Sequence, residues 1–103
     1  CSSDLIEGKV DTIPDATLNP DLSFSFHIGT DPYLQNLQFN NINWTNIGNN
    51  THQFKLKLDL LAFLGQGANS INLNSENLTH TAAGQEVLTQ KVITNLKNAI
   101  SPF

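Results

Sequence analysis

Apolar and polar residues alternate strictly over residues 22–28. Leu22, Phe24, Phe26 and Ile28 fall on one face, with Ser23, Ser25 and His27 on the other. A period of two predicts a half-buried strand. Gly29-Thr-Asp-Pro32 ends it with turn-forming residues. A second alternation begins at Leu37-Gln-Phe39 and changes parity before Ile42 and Trp44. Asn40-Asn41 therefore reads as a bulge that re-aims the strand. Asn46 to Asn50, with Gly48 inside, reads as a hairpin turn. Phe54, Leu56, Leu58 and Leu60 alternate with Lys55, Lys57 and Asp59, and the run Leu60-Leu-Ala-Phe-Leu64 follows without a break. This predicts one strand, half-exposed at its start and covered on both faces at its end, stopped at Gly65-Gln-Gly67. Ile71 and Leu73 mark a short further strand.

The period changes over residues 82–100. Val87, Leu88, Val92, Leu96, Ala99 and Ile100 recur at spacings of three and four, the pattern of an amphipathic helix. Thr81 or Thr79 is placed to cap it, and Pro102 follows its end. The expected fold is mainly β: a small β-sandwich with one amphipathic C-terminal helix packed on it. One sheet face is expected to bury Leu22, Phe24, Phe26, Phe39, Trp44, Phe54, Leu56 and Leu58.

The chain has 103 residues, room for one small domain. It carries a net charge of −4 with five lysines and no arginine, which argues against a nucleic-acid partner. No apolar run reaches the roughly 18–20 residues of a membrane-spanning helix. The sole cysteine is Cys1, followed by Ser2 and Ser3, so an internal disulfide framework is excluded. With no methionine in the chain, residue 1 is expected to be a processing product or a trimmed boundary. A lone leading cysteine is the pattern left when signal peptidase II releases a bacterial lipoprotein, whose cysteine thiol carries the lipid. Cys1 is thus the candidate lipid attachment site, and two or more acyl chains would hold it firmly to a membrane. Residues 1–21 hold Asp4, Glu7, Asp11, Asp15 and Asp21 against Lys9, with Pro14 and Pro20. They read as an acidic flexible tether, about 25 Å long on average, ahead of a single folded domain over 22–103. The other reading places an edge strand at Lys9–Ile13.

Candidate chemistry is sparse. His27, His52 and His80 are scattered in sequence, and zinc needs three or four convergent ligands, so no metal site is expected. No G-x-S-x-G elbow is present for a nucleophile, and Gly65-Gln-Gly67 lacks the lysine or third glycine of a phosphate loop. No cofactor and no enzymatic activity are expected. Three glycosylation sequons, at Asn43, Asn49 and Asn77, are close to what 14 asparagines generate by chance. Residues 32–54 hold no Asp, Glu, Lys or Arg but include Tyr33, Leu34, Phe39, Ile42 and Trp44. Interface centres are depleted of charge and enriched in Tyr and Trp. Tyr33, Leu34 and Trp44 are therefore candidate partner-binding residues. The competing reading is an ordinary core solvated by Asn, Gln, Ser and Thr.

Cys1-Ser2-Ser3, an acidic leader and a small strand-rich domain together resemble the TssJ-type outer-membrane lipoproteins of type VI secretion, in particular their short, divergent IglE-like branch. The resemblance implies a transthyretin-like two-sheet sandwich on the periplasmic face of the outer membrane. It also implies a docking partner, the periplasmic domain of a TssM/IcmF-like protein. Only Cys1 with Ser2 and Ser3 carries over residue by residue. The same features suit a pilotin or DotD-like lipoprotein of another secretion system. A periplasmic lipid- or ligand-binding lipoprotein, with a groove between helix and sheet, is the other reading.

Overall fold

The computed structural model describes residues 4–29 and 31–103. Strand β1, Asp4–Val10, pairs antiparallel with β2, Leu22–Ile28, from Asp4↔Ile28 to Val10↔Leu22. The alternation in β2 works as the sequence predicts: Phe26 is fully buried, and Leu22, Phe24 and Ile28 are half-buried beside it. Gly8 faces Phe24 across the pair, and a Cβ there would sit 2.8 Å from Cζ of the ring. Glycine at this position therefore lets the phenyl group lie against the backbone of β1.

This hairpin corrects the flexible tether and the domain boundary expected at residue 21. Residues 4–10 belong to the folded sheet, well beyond the Lys9–Ile13 edge strand. The acids between the strands do structural work. Asp21 N–H donates to the Val10 carbonyl at 3.1 Å, and Thr12 donates through its backbone N–H (2.7 Å) and its hydroxyl (2.6 Å) to the Asp21 carboxylate. Asp11 and Asp15 accept backbone N–H groups two residues ahead, at Ile13 and Thr17, as short acidic residues do in turns. Residues 11–21 are thus a loop closed at its base.

The central segment departs furthest from expectation. Asp31–Tyr33 forms one 3₁₀ turn, and residues 34–44 carry no regular structure. Asn41 has φ +59°, so the chain turns where a bulged strand was expected. The hairpin at Asn46–Asn50 is present, as β3, Thr45–Gly48, and β4, Thr51–Gln53. Asn49 and Asn50 both adopt positive φ, +52° and +57°, the geometry of a tight two-residue connection.

The long strand expected from Phe54 to Leu64 is two elements. β5, Leu56–Leu58, is followed by a short helix α1, Leu60–Leu64. Asp59 converts one into the other, because its carboxylate accepts the N–H groups of Leu61 (3.0 Å) and Ala62 (3.1 Å) as an N-cap. Gly65 ends the helix at φ +73°. Ile71 and Leu73 lie in irregular chain rather than in a strand, with Ile71 buried. An unforeseen strand, β6, Leu78–Thr79, adds parallel to β2.

The C-terminal helix α2, Glu86–Ala99, is present, preceded by Gln85 rather than capped by Thr79 or Thr81. Gln85 Oε1 accepts the N–H groups of His80 and Ala82 and so ties the approaching loop. The buried face of α2 is Thr89, Val92, Ile93, Asn95 and Ala99, with Leu88 and Leu96 packed alongside. Val87, expected on that face, is 73% exposed. Pro102 lies three residues past the helix end, as expected. It pairs with Leu56 in β7, Ile100–Pro102, antiparallel to β5.

Phe26, Phe63, Ile71, Val92 and Ala99 form the core where β2, α1 and α2 meet. The described sheets are β1-β2-β6, β3-β4 and β5-β7. Among the described residues this is a small mixed α/β domain of small sheets and two α-helices: the expected strands and amphipathic C-terminal helix are present in part, and the sheets do not form a clearly closed sandwich. A single face could not gather the eight expected residues, because Asp59 interrupts the strand and residues 34–44 leave the sheet. Phe26 alone among the eight is fully buried.

Candidate interaction surface

Tyr33 closes the 3₁₀ turn after β2 and stands half-buried at the mouth of an apolar groove of about 390 Å³. Ile6 and Ile28 form one wall, Ile93 and Leu96 of α2 another, and Leu58 and Ile100 the β5-β7 side. Tyr33 also borders a wider hollow against Val87, Gln90 and Lys91. Lys91 is anchored there. Its ammonium bonds Glu76 at 2.5 Å and the Ser70 carbonyl at 3.1 Å. The Glu76 carboxyl is held below its usual range, first by the Asn72 N–H (2.9 Å) and then by Lys91. Leu34, next to Tyr33, is 74% exposed.

Trp44 precedes β3 and stacks edge-on against Phe54, with ring centroids 4.8 Å apart. It is 59% exposed, so its place in the expected core is corrected while its place on the surface stands. Phe54, Leu56 and Leu58 continue from it with alternate parity, and all three are exposed. Leu58 lines the groove, so this stripe runs from the Trp44 pair to the groove mouth. Phe103 lies beside its Trp44–Phe54 end. Its N–H donates to the Lys55 carbonyl at 2.9 Å, and the Lys55 ammonium sits 5.9 Å from its ring centroid.

The structure therefore brings Tyr33 to the groove and Trp44 to the stripe, and the β5-β7 pair joins the two regions. Cys1 lies outside the described residues. Sequence reasoning missed the exposure of Phe54, Leu56 and Leu58, for which the alternation with lysine carries no signal. It also missed the meeting of His27 with His80, whose ring nitrogens are 2.9 Å apart.

Among the described residues no group of three or more His, Cys, Asp or Glu side chains could hold a metal ion, and no helix is long and apolar enough to cross a membrane. No protein-family model, curated protein or solved structure matches the chain.

Proposed function

We propose that this chain is a lipid-anchored docking subunit of a bacterial secretion complex, held at the periplasmic face of the outer membrane. In this reading the lipid on Cys1 fixes location, and the folded domain offers its uncharged aromatic surface to a protein. The favoured partner is the periplasmic domain of a TssM/IcmF-like protein. Confinement at a membrane raises effective concentration, so an interface of moderate affinity suffices.

The observation that carries the docking role is surplus accessible surface on a domain that also exposes large apolar side chains. The accessible area is 7597 Å², whereas a folded monomer of this mass exposes roughly 5,700 Å². The excess exceeds the roughly 800 Å² that one protein contributes to a standard interface. The exposed apolar side chains include Leu34, Leu37, Trp44, Ile47 and Phe54, in the stretch without charge. The Trp44–Phe54 pair has the chemistry of an interface anchor.

The test has two arms. Mass analysis of native material should find Cys1 acylated, and an unmodified Cys1 ends the anchoring part. Recovery of the TssM/IcmF-type periplasmic domain should fall at least tenfold for Trp44→Ala and for the pair Tyr33→Ala/Leu34→Ala. A loss of about 1.4 kcal/mol corresponds to that factor. Unchanged recovery with both variants removes the assigned surface.

The groove favours a second reading, a carrier of a small apolar ligand. Its volume of about 390 Å³ is within the usual range of ligand sites, about 300–1,000 Å³. A fluorescent fatty acid that binds the wild type and not Leu96→Trp would support that role.

A further inference from the structure

The sheet face opposite the core holds two imidazoles that lie 53 residues apart in sequence. His27 projects from β2 on the side away from Phe26 and Ile28. The parallel pairing Ser25↔Leu78 and Phe26↔Thr79 carries the chain directly into His80, alongside His27. His80 is exposed and His27 half-buried. The His80 backbone is fixed, since its N–H donates to Gln85 Oε1 at 2.7 Å. Nδ1 of His27 and Nε2 of His80 are 2.9 Å apart, and the rings meet edge to face at 78°.

Two imidazole nitrogens at this separation can share a proton or a cation. With metal–nitrogen bonds of about 2.0–2.1 Å, a 2.9 Å separation subtends roughly 90° at the metal. That is the angle between neighbouring ligands in square-planar or tetragonal coordination, and it is narrower than tetrahedral zinc requires. Tetragonal nitrogen and oxygen sites suit Cu²⁺ and Ni²⁺, and Cu²⁺ binds most tightly in the divalent series. Leu5 is the direct neighbour of His27 on β1. Glu7, one position further along the same face opposite Ser25, puts negative charge on the cation's side of the sheet, and Lys9 lies beyond it opposite Ser23.

We propose that His27 and His80 form a two-imidazole binding site for Cu²⁺, in neighbouring coordination positions, with water completing the shell. The site pins β6 to β2, so bound metal also reinforces the parallel edge of the sheet. This inference is independent of the docking surface.

The experiment titrates CuCl₂ into the full chain carrying Cys1→Ser, which removes a competing thiol. Electron paramagnetic resonance reads the ligands, and paramagnetic broadening in NMR spectra reads the location. The expected result is a one-to-one complex with hyperfine coupling from two imidazole nitrogens and broadening centred on residues 27 and 80. Losing even an outer-shell partner costs about 10–100-fold in metal affinity. His27→Gln and His80→Gln should therefore each weaken binding at least tenfold, while His52→Gln leaves it unchanged. Metal-free spectra of the variants verify that the fold is retained. Affinity unaltered by both variants, broadening centred on His52 or the amino terminus, or no stoichiometric complex would each overturn the proposal and leave a proton-sharing pair.

Discussion

Thr79 and Thr89 are fully buried, and their hydroxyls bond each other at 2.5 Å between β6 and α2. Each hydroxyl is the other's partner. Thr89→Val strands the Thr79 hydroxyl and should cost about 1–3 kcal/mol, whereas the double change Thr79→Val/Thr89→Val should cost less than the sum of the two single changes. Urea unfolding of the three variants checks this, and additive costs would mean that the pair is not coupled. Glu76 gives the pH dependence. Its carboxyl is held below 4.5 by the Asn72 N–H and by Lys91. A carboxyl lowered in the folded state contributes stability that is present above the unfolded value and is lost as pH falls through the folded value. Wild-type stability should therefore drop below about pH 4.5, and Glu76→Gln should flatten that drop in thermal melts recorded from pH 6 to pH 3. Asp15 and Asp21 are lowered too, each by its hydrogen bonds from threonine, Thr17 and Thr12, but they are exposed and act in the same direction more weakly. An acid limb identical in wild type and variant would show that Glu76 is not its main source.

At the scale of elements, α1 depends on its two ends. It has five residues and one fully buried side chain, Phe63. Asp59→Ala removes both cap hydrogen bonds and should cost about 1 kcal/mol. Gly65→Ala should cost more. The glycine holds φ +73°, and a Cβ would sit 2.3 Å from the Asn69 carbonyl oxygen and 2.4 Å from Asn95 Nδ2. Asn95 Nδ2 donates to that same carbonyl at 2.8 Å, so the α2–loop contact would have to open. Chemical denaturation of both variants gives the comparison, and a Gly65→Ala chain as stable as wild type would contradict the packing. The same element explains where reading the sequence succeeded. β2 and α2 were legible because their two faces differ chemically, with periods of two and about 3.6. Leu60–Leu64 was not, because five consecutive apolar residues have no period. The discriminating signals were Asp59 before the run and Gly65 after it. β6 was illegible for a different reason. Its two residues become a strand only because β2 offers an unpaired edge.

The whole molecule is extended for its length. Its radius of gyration is 16.4 Å, against about 13 Å for a compact domain of this size. The core is confined to the junction of β2, α1 and α2, while β3, β4 and β5 stand largely in solvent. Tyr33, Leu34 and Trp44 were legible as surface candidates because they occupy a long stretch without charge. Phe54, Leu56 and Leu58 were not, since an alternating strand does not reveal whether anything covers its apolar side. Hydrogen–deuterium exchange of the domain, alone and with the TssM/IcmF-type periplasmic domain, tests the docking surface most directly. Slowed exchange in peptides covering residues 33–37 and 44–58 is the expected result. Protection confined to the 11–21 loop, or none at saturating partner, would contradict it.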